Sequence, residues 1–185
     1  ERWPNAGFFI HASEEQGNVL LLQTLAGILT NLGRSREALD LYRQIMAASS
    51  NPAAANNAAY LVTQVSPGDR DALTQAYGWS EIAVAAAPNL AMFLDTKGWI
   101  AHLLDRQSEA LTDLRRAVKG AGDSPEVHYH LGIVEAQARN YQLARWHLQA
   151  AVDLVEKLRA ENQARPSAEE AADLAARKLR ELPQG

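Results

Sequence analysis

Cysteine is absent from the 185 residues of this chain. Disulfides, thiolate metal sites and cysteine nucleophiles are therefore excluded. Long apolar runs are missing too, because the longest candidate, Val19 to Leu25, contains Gln23 and Thr24 and falls far short of the ~20 residues that span a bilayer. The sequence opens at Glu1 without a methionine, and we expect it to be an excised or processed piece of a longer chain.

Concentrated positive charge is also lacking. The formal net charge is −4, and the lysines and arginines are interspersed with acids instead of forming one basic stripe. Because nucleic acids are bound chiefly through clustered lysine and arginine, we do not expect a nucleic-acid partner. Aromatic residues make up only 6% of a chain that is 47% apolar, and alanine is prominent throughout. Such a composition suits closely packed helices.

A period of 34 residues runs through the sequence. Ala76, Ala110 and Ala144 are evenly spaced, and Gly98 and Gly132 repeat at the same interval. A fixed period of this length is typical of helix-turn-helix units, which bury their apolar faces only by stacking on one another. The small residues fit where two helices cross most closely, because they let the backbones approach.

On these residues, the chain resembles the tetratricopeptide-repeat superfamily over roughly residues 19–154. The resemblance implies an all-α fold, a right-handed α-solenoid of about four helix-turn-helix repeats with a C-terminal capping helix. The predicted segments are an N-terminal segment at 1–18, interpreted as the remnant of an upstream repeat, repeat 1 at 19–51, repeat 2 at 52–90 with an enlarged turn at 66–70, repeat 3 at 91–124, repeat 4 at 125–158, and the C-terminal extension with its capping helix at 159–185.

Two details of the predicted helices can be tested. Pro166 should end the last repeat helix, and Ser167 with Glu170 matches a capping box that would start the capping helix. Lys97 takes the slot that Leu131 holds one repeat later, so its aliphatic stem should pack while its amine reaches solvent.

A narrower resemblance concerns the runs Asn56 to Leu61, Asp95 to Ile100 and His128 to Gly132. They are similar to the terminal repeats of bacterial tetratricopeptide proteins of exopolysaccharide export and envelope assembly. This resemblance implies a bacterial multiprotein assembly in the periplasm or cell envelope, with the cytoplasm as the alternative location.

In the tetratricopeptide superfamily the first helix of each pair lines a concave groove. Carried over by position, the resemblance implies a partner-binding groove formed by Gln23, Asn31, Asn56, Tyr60, Gln64, Asp95, Trp99, His102, Tyr129, His130 and Gln137. Carboxamides can donate to and accept from an extended peptide, and tyrosine and tryptophan offer a wide, rigid contact surface. In the alternative interpretation, the aromatic residues pack between neighbouring first helices, and Asn56 and above all Asn57 bond the loop of the adjacent repeat. Lysine and arginine are absent from these positions, which disfavours a clamp for a partner's C-terminal carboxylate.

The five histidines do not predict a metal site. His128 and His130 lie two positions apart, whereas helical metal pairs use the i, i+4 spacing. His102 and His130 could approach each other across neighbouring first helices, but no carboxylate or third ligand is evident. We therefore expect solvated or interfacial histidines and neither a metal nor another cofactor.

The sequence shows no nucleophile elbow, phosphate loop or dinucleotide-binding turn. Asp95 and Glu135 read as isolated acids without the partner that acid–base catalysis needs. We expect no enzyme but a scaffold that binds a protein or peptide partner without inserting into a membrane. Two alternatives stay open. The first is a structural unit that associates with itself or acts as a spacer in a longer array, and the second is a module that binds a polysaccharide.

Overall fold

The computed structural model describes the backbone of residues 6–183 and the side chains of residues 18–183. Within that range the elements are all helical. They are α1 (Ala6–Asn31), α2 (Ser35–Ala48), α3 (Pro52–Val65), α4 (Arg70–Ala86), α5 (Ala91–Leu103), α6 (Gln107–Gly120), α7 (Pro125–Gln137), α8 (Tyr141–Ala160) and α9 (Pro166–Glu181). In the part of the chain that is described, none of these helices has the length and apolarity needed to cross a bilayer.

The chain forms two compact units, residues 1–86 and 87–185. In the first unit, α1 packs on α2, α2 on α3 and α3 on α4. In the second, α5 packs on α6, α6 on α7 and α7 on α8, and α5 also contacts α7. Within each unit, consecutive helices joined by short turns thus pack as neighbours, which confirms the predicted all-α helical-repeat fold.

Local sequence explains where several helices begin. Proline occupies the first helical turn of α3 and of α7, where its missing N–H would have no partner in any case. The side chain of Asn51 accepts a hydrogen bond from the Ala54 N–H at 2.9 Å, and Ser124 caps α7 in the same way. Between α3 and α4, Asp69 Oδ1 accepts from the N–H groups of Asp71 and Ala72.

Two glycines mark close helix crossings in the second unit. A Cβ built on Gly98 would lie 2.7 Å from Leu114 Cγ, and one built on Gly132 would lie 2.7 Å from Leu148 Cγ. Neither position has room for a side chain, because the leucine of the second helix already fills it. The predicted packing reason for the repeated glycine is confirmed.

Helix α1 is longer than the first helix expected from the sequence. It begins at Ala6, whereas the pattern of apolar residues indicated a start near Val19. The predicted N-terminal segment at 1–18 lies largely outside the described side chains. Its assignment as the remnant of a repeat stays a prediction.

The predicted start of the capping helix is wrong. Pro166 opens α9 instead of ending the preceding helix, which already stops at Ala160. Ser167 therefore lies inside the first turn, and its hydroxyl donates to Glu126 Oε1 on α7 at 2.7 Å instead of capping α9. Proline is favoured in the first helical turn, which explains why α9 begins at Pro166. The hydroxyl of Ser167 instead bonds the carboxylate of Glu126, which lies 41 residues away in the sequence.

Helix α9 covers α7 and α8 with a stripe of alanines. Ala168, Ala171, Ala172 and Ala175 are buried, and α9 contacts both α8 and α7, as α7 contacts both α6 and α5. Small side chains let the helix approach closely. The opposite side of α9 carries charged, exposed residues.

The expectation that the Lys97 amine reaches solvent is wrong. Its Nζ lies 2.6 Å from Asp113 Oδ2, and both side chains are largely buried. Asp113 also pairs with Arg116. The stem of Lys97 packs between α5 and α6 as expected, but α6 supplies a carboxylate at the depth where the amine ends, so the charge is neutralised inside the repeat.

Candidate functional site

The nominated residues of the second unit meet on one face of α5 and α7. Asp95, Trp99 and His102 follow one another at helical spacing on α5, and α7 contributes Tyr129, His130 and Gln137. The α5–α7 face, defined by these six residues, forms one connected set of contacts. Sequence position alone placed them on first helices, and the packing of α5 against α7 brings them together.

Trp99 is the centre of this face. Its ring stacks with that of His130, with centroids 4.3 Å apart and planes at 18°, and with that of His102 at 4.8 Å and 29°. The Tyr129 ring lies 6.0 Å away in a tilted arrangement. Stacking of this kind contributes beyond the burial of area alone. The indole thus packs between neighbouring first helices, and it holds both imidazoles in place.

Asp95 and His130 form a polar pair at the edge of the stack. His130 Nδ1 lies 2.9 Å from Asp95 Oδ1, and the two side chains are only 13% and 15% exposed. A carboxylate that accepts from Nδ1–H leaves Nε2 as the remaining nitrogen of the imidazole. The expectation that Asp95 is an isolated acid is wrong, because its partner His130 lies 35 residues further along the chain, one position after the residue that is equivalent to Asp95 in the next repeat.

Glu135 is not isolated either. Arg115 donates to its Oε1 at 2.8 Å and Asn140 to its Oε2 at 2.7 Å. The residue is buried in α7, and these partners lie on α6 and at the turn before α8. The carboxylate joins three successive elements and serves the packing of the repeat.

The surroundings of His102 favour its neutral form. Burial lowers its pKa below the ordinary value, and the charge of His130 lowers it further, although Asp105 and a hydrogen bond with Gln137 act in the opposite direction. Its Nδ1 is buried without a hydrogen-bond partner among the described residues. Gln137, the last residue of α7, is exposed, so its carboxamide is the part of the α5–α7 face that solvent reaches most readily.

Tyr129 connects the face with the C-terminal helix. Burial raises the pKa of its phenol, and the carboxylate of Glu170 on α9 adds to the rise. Its ring packs, with Ile133, against the core formed by α7, α8 and α9. The phenol stays protonated at neutral pH and can donate a hydrogen bond.

In the first unit the nominated residues are split between α1 and α3. Gln23 and Tyr60 are half-buried, Asn31 and Gln64 are exposed, and Asn56 is buried with its Oδ1 unbonded among the described groups. Asn57, beside Asn56, donates to the Tyr42 hydroxyl at 3.1 Å. Asn57 thus bonds the adjacent repeat, but its partner is the side chain of Tyr42 on α2, whereas the sequence predicted the loop of that repeat.

A buried histidine pair escaped the sequence analysis. His128 Nδ1 lies 3.1 Å from His147 Nδ1, and His128 Nε2 lies 3.1 Å from the Gly122 carbonyl oxygen. Both residues are buried, so the expectation of solvated or interfacial histidines is wrong for them. A signal existed, because His147 takes the same repeat position as the inward-facing Asp113. Across residues 18–183, no group of three histidine, cysteine or acidic side chains is arranged to hold a metal ion.

No family model and no curated protein matches the sequence. Several solved structures do resemble the fold. YrrB, described as a tetratricopeptide protein with an unusual peptide-binding site, aligns with a TM-score of 0.57 at 19% identity over 90% of each chain. The first tetratricopeptide domain of Spaghetti (RPAP3), bound to the HSP90 peptide SRMEEVD, aligns with a TM-score of 0.57 at 20% identity over 66% of this chain and 94% of that domain.

MamA from Desulfovibrio magneticus RS-1 aligns with a TM-score of 0.59 at 19% identity over 75% of each chain. Likeness at these identities concerns the fold and not the ligand. Together with the 34-residue period and the glycine crossings, it identifies the chain as having the tetratricopeptide-repeat fold.

Proposed function

We propose that this chain is a non-enzymatic interaction module whose α5–α7 face binds an extended segment of a partner protein. The observation that carries the proposal is the set of contacts around Trp99, which fixes two imidazoles and a phenol on one partly exposed face. Groups that are already held in place lose little entropy when a ligand binds. The likeness to YrrB and to the RPAP3 domain concerns the fold, so the peptides named for those proteins do not identify the ligand of this chain.

The groups offered to a partner are hydrogen-bonding and aromatic in character. The exposed carboxamide of Gln137 can donate and accept, and His130 retains Nε2 beyond its bond to Asp95. Because both imidazoles stack on Trp99, we assign the indole a positioning role and the polar contacts to its neighbours. An extended backbone, with its alternating donors and acceptors, fits such a surface.

The charged side chains of the α5–α7 face favour some partner segments over others. The six residues of the α5–α7 face include one carboxylate, Asp95, and no lysine or arginine. The nearest lysine on α5, Lys97, is engaged by Asp113 in the interior of the repeat. An acidic C-terminal tail would therefore find no cation here, and a neutral or basic segment is favoured.

In the first unit, the corresponding first helices carry amides and one phenol. We propose the accessible ones as further partner contacts, and they are Gln23, Asn31, Tyr60 and Gln64, whereas Asn56 is buried on α3. We also propose that the partner belongs to a bacterial assembly of the polysaccharide-export or envelope-biogenesis kind. The sequence runs around Asn56, Asp95 and His128 support this assignment.

A displayed library of random 12-residue peptides tests the proposal. Peptides selected on the whole chain are synthesised, and their affinities are measured for the natural chain and for Trp99→Ala with Tyr129→Ala. Loss of about 30-fold or more is expected, because the double variant removes the indole that holds both imidazoles in place and the phenol that lies beside it. Gln137→Ala, at an exposed position, gives a second reading if the double variant unfolds.

Trp146→Ala is the matched control, because Trp146 is exposed on α8 and lies outside the α5–α7 face. It should leave the affinities unchanged. The proposal fails if no peptide is enriched over an unrelated helical protein, or if the selected peptides bind the Trp99 and Gln137 variants as tightly as the natural chain.

A further inference from the structure

Helix α9 places one carboxylate beside the phenol of the α5–α7 face. The Ser167 hydroxyl on α9 donates to Glu126 Oε1 on α7 at 2.7 Å. Glu170 and Tyr129 each lie three residues further along these two helices, and residues three apart share one side of a helix. Tyr129 therefore stands opposite Glu170. Burial first, and then the charge of Glu170, raises the pKa of the Tyr129 phenol, which agrees with this proximity.

The contact repeats the one between α5 and α7. There, Asp95 on α5 meets His130 on α7 at 2.9 Å. Tyr129 lies 34 residues after Asp95, and Glu170 lies 40 residues after His130, which is the offset that relates the buried positions of the two helices. Those positions are His128, Leu131, Gly132 and Glu135 on α7 and Ala168, Ala171, Ala172 and Ala175 on α9. In the second contact a phenol thus stands where the first has its acid, and the carboxylate stands where the first has its imidazole.

Glu170 has no counter-charge within the chain. The carboxylates of α5 and α7 are paired internally, and the pairs are Asp95 with His130, Glu126 with Arg165, and Glu135 with Arg115. The preceding residue on α9, Glu169, pairs with Arg159. Among the described residues, Glu170 forms neither an ion pair nor a hydrogen bond, and its side chain is exposed. A carboxylate in this position is available to a cation from outside the chain.

A helix packed on the far side of α9 would not come between Tyr129 and Glu170. The equivalent residue on α7 shows the reason. Although α9 packs on α7, His130 keeps its contacts with Asp95 and Trp99 on α5. The Tyr129–Glu170 pair therefore belongs to the contact of α7 with α9 itself, whether or not further repeats follow.

The charge beside the Tyr129 ring is set by Glu170. No lysine or arginine occurs within four residues of Tyr129 on α7 or of Glu170 on α9. Further along α9, the exposed side chains of Asp173 and Arg177 carry opposite charges. A guanidinium can lie over an aromatic ring while its N–H groups donate to a carboxylate, so it complements both members of the pair.

We propose that Tyr129 and Glu170 together bind an arginine side chain of the partner segment. This inference rests on the proposed peptide-binding function, and it adds a specificity-determining residue on α9 to the α5–α7 face. The guanidinium lies over the phenol ring and donates to the Glu170 carboxylate. Lysine fits less well, because its compact ammonium lacks the planar fork that matches a carboxylate.

Affinities of paired peptides test the inference. The peptides selected on the whole chain from the displayed library should be enriched in arginine. One selected peptide and its variant with glutamine in place of that arginine are measured against the natural chain and Glu170→Gln. Glu170→Gln should weaken binding of the arginine peptide by about 10-fold and leave the glutamine peptide unchanged. Glu170→Lys should reverse the preference, so that a peptide with glutamate in place of the arginine binds better than the arginine peptide.

Glu181→Gln is the matched control, because it removes the same charge from the last residue of α9, about 16 Å along the helix from Glu170. It should leave both affinities unchanged. The inference is overturned, and the peptide-binding function stands, if the selected peptides depend on Trp99 and Gln137 but bind Glu170→Gln as tightly as the natural chain. An equal loss in Glu181→Gln would assign the effect to net charge and would overturn the inference too. If no peptide is enriched, both proposals fall.

Discussion

The side chains of His128 and His147 meet through their Nδ1 atoms at 3.1 Å inside the last repeat. Such a contact needs at least one neutral ring, because two protonated imidazoles have no acceptor at those atoms. Burial, and secondarily the proximity of His128, lowers the pKa of His147 to about 4. Burial also lowers the pKa of His128. The pair is therefore a neutral element of the folded state.

This pair predicts a loss of stability in mild acid. In the unfolded chain a histidine binds a proton near pH 6.5, whereas His147 in the folded chain resists protonation down to about pH 4. The unfolded state thus binds more protons between these values, and the free energy of unfolding should fall as the pH drops from 6.5 to 4, by about 2 to 3 kcal/mol. Urea unfolding at several pH values measures the fall.

The control for that experiment is His147→Gln, which removes the titrating group from the same position. Its free energy of unfolding should change less across this pH range than that of the natural chain. Equal pH dependence of the two proteins would show that other groups, and not the histidine pair, are responsible.

Gly132 predicts an overpacking penalty. An added Cβ would lie 2.7 Å from Leu148 Cγ and 3.2 Å from the Leu148 backbone nitrogen, so the helices must move apart. Gly132→Ala should cost about 1 to 3 kcal/mol in chemical denaturation, and Gly132→Leu at least as much. Gly78→Ala on α4 is the matched control, because nothing lies within 4 Å of its added Cβ. There the better helix propensity of alanine should stabilise the chain by about 0.5 to 1 kcal/mol.

The buried ion pair of Lys97 and Asp113 should be sensitive to the loss of one partner. Asp113→Ala removes the carboxylate that lies 2.6 Å from the Lys97 amine, and we expect a loss of about 3 kcal/mol. Adding Lys97→Leu, which restores the residue type found at Leu131, should recover most of that loss. A double variant no more stable than Asp113→Ala would contradict the assigned pairing. Thermal and urea unfolding of the four proteins provide the comparison.

We predict that the affinity of the α5–α7 face for a peptide does not depend on whether the peptide ends in a free carboxylate or an amide. A peptide with acidic C-terminal residues, such as SRMEEVD, should bind this chain no better than its amidated form, because the face holds Asp95 and no lysine or arginine. Isothermal titration of both forms makes the comparison. A preference for the free acid of tenfold or more, about 1.4 kcal/mol, would restore the carboxylate clamp that the sequence disfavours.

Much of the fold follows from local sequence. The 34-residue period, the prolines before α3 and α7, and the small residues at Gly98 and Gly132 each act through near neighbours or through one helix crossing, so their consequences can be derived from spacing. Polar pairs were harder to predict. Lys97 with Asp113, Asp95 with His130 and Ser167 with Glu126 join residues 16, 35 and 41 positions apart.

The sequence by itself determined that this chain builds paired helices and which positions of each helix could face a partner, because helical period and side-chain size are local properties. Only the tertiary structure decided which polar groups satisfy one another and which surfaces stay open. Trp99 became the centre of a stack, and His128 and His147 became a buried pair. Those outcomes depend on distances between helices, and spacing along one chain does not specify them.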